Sequence, residues 1–167
     1  MQTDNPMPGH PALAALARSA LLTAGAALVA MAAVEAWQVF ARYVLNDSPG
    51  WTEPVALFLL NTAMSLGAAA GVRLKSHFGF FMLAHAAPPP VARALEVFAI
   101  LVIAALGAVI AAWGVELLVD GWSIAMAGTR LPQSAAFLPM SVGGALMCVF
   151  AIERLVLALR PTATEAH

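Results

Sequence analysis

Four long apolar stretches, broken by short polar segments, make up nearly all of this 167-residue chain. They run from about residue 13 to 45, 54 to 72, 91 to 119 and 134 to 159. A helix needs roughly 20 mostly apolar residues to cross the hydrocarbon core of a bilayer. The pattern therefore predicts an all-α integral membrane protein with four transmembrane helices, forming one membrane domain over residues 13–160. An irregular segment at 1–12 precedes it and a short tail at 161–167 follows. Pro6, Pro8 and Pro11 keep the first segment irregular, and a helix is expected to begin just after Pro11, since proline suits a first turn. That segment lacks a basic stretch and carries Asp4 instead, so it is not expected to be a cleaved signal.

Within the stretches, the polar and small residues point to helix contacts. Asn61, Thr62 and Ser65 in the second predict packing against other helices rather than lipid alone. Gly143 and Gly144 in the fourth allow close approach, and Pro139 falls in its first turns. Pro54 sits in the first turn of the second helix, where it costs no hydrogen bond. The break from Leu74 to Pro90 is too long for a bare hairpin. Its Phe78, Phe80, Phe81, Met82 and Leu83 are too apolar for a solvated loop. An interfacial segment between helices 2 and 3 is expected there, lying in the membrane surface or on a partner.

Composition narrows the class further. The chain is 62% hydrophobic and 10% charged, against about 25% charged for a soluble domain. Four spans leave no room for a soluble catalytic domain. A net charge of −1 with no basic cluster argues against a nucleic-acid partner. The single cysteine, Cys148, lies in an apolar run and reads as a small packing side chain.

Basic residues set the expected orientation. Arg18, Arg73, Lys75, Arg93, Arg154 and Arg160 fall on one side, and only Arg42 and Arg130 on the other. The bias predicts a multi-pass protein with both termini in the cytoplasm. Trp51, Trp113 and Trp122 then lie near the outer boundary, as an interfacial aromatic belt does.

Candidate chemistry is sparse. Glu35 interrupts the first stretch. An ionisable side chain at the centre of a span costs about 2.5–3.5 kcal/mol on insertion scales, and less toward the interface. Two readings stand. Glu35 binds protons in a small proton-coupled exporter, or it pairs across a protein interface, with Arg42 two turns later on the same face. Glu116 and Asp120, one turn apart, could bind a cation or form a solvated rim with Trp122. Arg93 and Glu96 share one turn and can pair, and Glu153 and Arg154 read as ordinary interface charges. His77 and His85 lie outside the spans with no third ligand nearby, so no metal or haem site is expected. No cofactor and no catalysis are expected, since the phosphate-loop, zinc-protease and serine-elbow motifs are all missing.

The polar block RYVLNDSPGWTEP, from Arg42 to Pro54, holds groups that lipid rejects, so it must meet water or protein. The chain resembles the small membrane subunit (DctQ-type) of TRAP transporters, the tripartite ATP-independent periplasmic family. The resemblance rests on Arg42-Tyr43 at the end of helix 1 and Trp51 with Glu53 opening helix 2. Further along, GAAAGVRLKSH brings Gly67, Arg73 and His77, and Leu131, Pro132 and Pro139 precede and open the last helix. It spans roughly Val39 to Arg154. Two departures stand out: Pro54 replaces a second acidic residue, and no acidic residue follows His77 in FGFFML.

The resemblance implies a scaffold subunit in the bacterial inner membrane, among membrane lipids. Its partners would be a large elevator-type membrane subunit and a periplasmic substrate-binding protein, in sodium-driven uptake of a small organic anion. Glu35, Arg42, Tyr43, Trp51, Glu53, Arg73 and His77 are expected to make partner or structural contacts. Glu116, Asp120, Trp122 and Arg130 would form a docking rim. An accessory subunit of an unrelated membrane complex is the remaining alternative.

Overall fold

The structure, a computed structural model, describes residues 10–74, 88–126, 128 and 132–159. It contains α1 (Pro11–Tyr43), α2 (Thr52–Arg73), α3 (Pro89–Asp120) and α4 (Leu138–Leu159). A 3-10 turn, Gln133–Phe137, leads into α4. Among the described residues four helices are thus long and apolar enough to cross a membrane, and the protein is all-α and multi-pass. The expected interfacial segment falls mostly on residues 75–87, outside the described residues.

Local chemistry sets the helix starts. His10 caps α1, its Nδ1 accepting from the Ala12 amide at 3.4 Å, and Pro11 takes the first helical position, where its missing N–H costs nothing. Pro89 and Pro90 open α3 in the same way. The last helix differs from the sequence reading: it begins as a 3-10 turn rather than as α-helix from Ser134. Pro139 explains this. Its ring would clash with a carbonyl four residues earlier in an α-helix and it donates no hydrogen bond, so the chain ahead of it winds tighter.

The helices form a row in the spatial order α1–α2–α4–α3, running up, down, down and up, not a closed bundle. Extensive contacts join α1 to α2, α2 to α4, and α4 to α3. Two ends of the row can be distinguished. The turn end carries the α1–α2 connection and the segment between α3 and α4. The terminal end carries the start of α1 and the finish of α4.

Small residues build the seams. The buried residues of α1 are all alanines: Ala17, Ala20, Ala24, Ala27 and Ala41. Their three-four spacing is that of a left-handed helix pair, and they face α2, where Ala56, Ala63 and Ala70 recur at every seventh residue and are buried. The α3–α4 seam is tighter. A methyl group on Gly107 would lie 2.9 Å from the Cys148 amide nitrogen and the Gly144 carbonyl oxygen. One on Gly144 would lie 2.7 Å from the Ala111 nitrogen, and one on Gly114 would lie 2.5 Å from Ser141 Oγ. Gly143 does the same between α4 and α2, where a methyl would meet Ser65 Cβ at 2.5 Å. Backbones approach this closely only where side chains are missing. Asn61 ties α2 to the 3-10 turn ahead of α4, donating to the Ala136 carbonyl at 2.6 Å, and Ser65 donates to Asn61 within α2 at 3.1 Å. Of these polar residues, Asn61 reaches beyond α2, as its type predicts, whereas Thr62 returns its hydroxyl to the Phe58 carbonyl of its own helix at 2.8 Å.

Candidate functional site

At the terminal end a polar network ties all four helices together. Arg73, the last residue of α2, donates from Nε to Glu153 Oε2 at 2.8 Å and from Nη2 to Oε1 at 3.2 Å. The two side chains are only 7% and 9% exposed, so this bidentate pair is shielded from water. Glu153 also accepts the backbone N–H of His10 at 3.0 Å, which fixes the start of α1. Arg154 donates to the Val72 carbonyl at 3.0 Å and reaches Glu96 of α3 at 3.4 Å. Arg93 of α3 donates to the Ala158 carbonyl of α4 at 3.0 Å.

Both arginine–carbonyl bonds have one physical cause. The last four carbonyls of a helix lack partners within it and carry the negative end of its dipole. Arg154 serves that end of α2, and Arg93 serves that end of α4. The reading of Glu153 and Arg154 as ordinary interface charges is thus corrected: they are the centre of the helix junction. Arg73 is separated from Glu153 and Arg154 by about half the chain, so their meeting follows from the parallel packing of α2 on α4. The available signal was an opposite-charge pair at the same end of two helices.

The turn end is built differently. Asn46 adopts a left-handed conformation with φ 53°, which asparagine tolerates better than most residues. The Asp47 amide donates to the Ala41 carbonyl at 3.1 Å. Thr52, completely buried, donates its hydroxyl to the Pro49 carbonyl at 2.9 Å. Gly50 then abuts Gly128, whose φ is 78°. A methyl on Gly128 would collide with the Gly50 carbonyl, so glycine is required there by contact as well as by conformation. The α1–α2 turn and the segment after α3 are thereby locked together. The Ile124 carbonyl accepts from the Gln133 amide at 2.8 Å and closes that second segment.

Around this lock the expected site residues are exposed. Arg42 and Glu53 are exposed, as are Tyr43 and Trp51. Among the described residues no ion pair joins Arg42 to Glu53, contrary to the pairing that their closeness in sequence invites. The turn is closed by backbone and threonine hydrogen bonds, which leaves both charges free to face outward. Glu116, Asp120 and Trp122 are exposed at the end of α3 and just beyond it. Arg130 and His77 lie outside the described residues. Among the described residues no three histidine, cysteine, aspartate or glutamate side chains gather as a metal site.

Glu35 is exposed and has no hydrogen-bond or ion-pair partner among the described residues. Its depth follows from the α1–α2 register. A methyl on Gly67 would touch Ala24 at 3.9 Å, and the two helices are antiparallel. Equal steps in opposite directions from that contact bring Arg18 level with Arg73 and Glu35 level with Ala56. Glu35 therefore sits one turn, about 5.4 Å, inside the start of α2. Among the described residues no cavity encloses it. A shallow groove lies elsewhere, on α3, lined by Pro90, Arg93, Ala94, Val97, Phe98 and Leu101.

Residues 30–161 match a family model described as tripartite ATP-independent periplasmic transporters, DctQ component. No curated protein matches the chain as a relative.

Proposed function

We propose a function from this premise: the chain belongs to the DctQ component family of the tripartite ATP-independent periplasmic transporters. It is the small scaffold subunit of such a transporter. It works beside a large elevator-type membrane subunit and a periplasmic substrate-binding protein, in sodium-driven uptake of a small organic anion. It lies in the bacterial inner membrane with both termini in the cytoplasm, so the turn end faces the periplasm. There Arg42, Tyr43, Trp51 and Glu53 on one hairpin, with Glu116, Asp120 and Trp122 on the next, form a rim for partners.

One observation carries this reading. Polar side chains between the helices serve the packing itself: Asn61 ties α2 to the 3-10 turn ahead of α4 and accepts from Ser65, and Arg73 pairs with Glu153 at the junction. The seams are filled by alanine and glycine at backbone distance. A charged solute crossing a membrane needs polar groups lining its path, and this row supports no such path. It is a wall, and walls in an elevator transporter belong to the static part. The exporter reading of Glu35 requires a water-filled cavity around that carboxylate, and its exposed position on α1 favours the scaffold instead.

Reconstitution tests the proposal. Proteoliposomes holding this chain alone are expected to show no solute flux under a sodium or a proton gradient. Flux is expected once the large subunit and the binding protein are added. Gradient-driven transport by the chain alone, lost in Glu35→Gln, would replace the scaffold with the exporter.

A further inference from the structure

A carboxylate on a membrane helix has to find a hydrogen-bond donor, and Glu35 has none among the described residues of its own chain. Its surroundings on α1 are ordered. Leu21, Leu28, Glu35 and Arg42 recur at every seventh residue, one flank along from the buried alanines, and all four are exposed. In a helix whose contact face repeats every seven residues, such positions form one continuous line beside the seam. This line is apolar along its lower half, then carries a negative charge, then a positive charge two turns higher, about 10.5 Å along the axis.

Three kinds of neighbour could cover that line, and charge separates them. Lipid supplies phosphate for Arg42 at the headgroup level, but acyl chains offer nothing to a carboxylate one turn inside the start of α2. A second copy related by a two-fold axis along the membrane normal would set Glu35 opposite Glu35 and Arg42 opposite Arg42, which is repulsive at both levels. A different membrane protein can present the inverse order: a donor at the depth of Glu35 and an acceptor at the level of Arg42.

We propose that the Leu21–Leu28–Glu35–Arg42 flank of α1 is the docking line for the large membrane subunit, which places a cationic side chain against Glu35 and an acceptor against Arg42. This rests on the scaffold role proposed above. It adds which helix and which flank make the contact, and what chemistry the partner must bring. The other flank of α1, with Thr23, and the far edge of the row, with Val109, face lipid or other parts of the complex.

The test uses the complete transporter, with a photo-reactive benzoylphenylalanine placed singly at Leu28, Thr23 or Val109 of this chain. Adducts with the large subunit are expected mainly from Leu28. Stronger adducts from Thr23 or Val109, or adducts from Leu28 to a second copy of this chain, would overturn the docking line while leaving the scaffold role standing. Failure of the large subunit to co-purify with the unsubstituted chain would instead remove the scaffold role itself. In a second arm the charge of Glu35 is reversed. Like charges in an interface are strongly unfavourable, so Glu35→Lys is expected to lower the co-purified large subunit by about ten-fold or more. Glu35→Gln is expected to lower it less. Thermal stability of the isolated chain is expected to stay unchanged in both, because Glu35 bonds no other residue among the described ones. An undiminished yield of complex with Glu35→Lys would also overturn the proposal.

Discussion

Glu153 joins three helices, tying α4 to Arg73 of α2 and to the His10 amide at the start of α1. A shielded ion pair adds little net stability compared with apolar residues of similar volume, because both ions had to be taken from water. Breaking it is another matter, since the remaining partner keeps its desolvation cost. Glu153→Ala is therefore expected to destabilise the chain by about 3–5 kcal/mol, and the double variant Arg73→Met, Glu153→Met should recover most of that loss. Unfolding in graded denaturing detergent checks both. Equal losses in the single and double variants would show that the pair is worth its full Coulombic attraction rather than mere mutual cover. Arg73 was legible as a contact residue, but its pairing with Glu153 was not. A glutamate beside an arginine at the end of a span looks like any pair of surface charges, and only the pairing of helices shows that Arg73 arrives there. Asn61 was legible, because a polar side chain within a span must find a partner in protein, while Thr62 instead bonds the Phe58 carbonyl of its own helix.

The helices themselves were readable from the sequence to a degree that their neighbours were not. Apolar runs of span length bounded by proline and by polar breaks define a helix without any knowledge of its surroundings. Neighbour relations require a distinctive face, and these helices are apolar on every side, so lipid-facing and protein-facing residues look alike. Small residues are the exception. Gly143 and Gly144 marked α4 as a packing helix, although not the two different partners they touch. That difference can be measured. Gly144→Ala pushes a methyl into the Ala111 backbone, and overpacking of this kind costs about 1–3 kcal/mol. Gly25, also inside a helix, is open: a methyl there would meet nothing within 4 Å. Gly25→Ala should raise stability by about 0.5–1 kcal/mol through helix propensity alone. Opposite shifts in the two unfolding curves are the expected result, and equal shifts would mean that the α3–α4 seam has room to spare.

For the whole molecule, the distribution of basic residues is what supports the proposed orientation. Arg18, Arg73, Arg93 and Arg154 share the terminal end among the described residues, while Arg42 stands at the other. Cytoplasmic loops retain such an excess. Single cysteines at Ser48 and Ser123, introduced with Cys148→Ala, should react with an impermeant thiol reagent added to the periplasmic side. One at Ser76 should react only after the membrane is opened. The reverse pattern would invert the protein and place the aromatic rim in the cytoplasm. The family was legible from the order of short motifs, yet His77 and Arg130, two of the residues expected to make partner contacts, fall outside the described residues. What no motif could express is that the helices stand side by side in a row.

A row one helix thick has a mechanical weakness that a closed bundle lacks. Each helix touches its neighbours along one line, so the set could fan like a hand of cards, every member sliding or splaying against the next. Here both rims are stitched. One rim is laced by arginines reaching over to adjoining helix ends, and at the other two hairpin tips meet glycine to glycine, with no side chain between them to give way. Shear along any single line must then tear a rim before it can grow. Sideways load is therefore carried by the panel as one stiff plate.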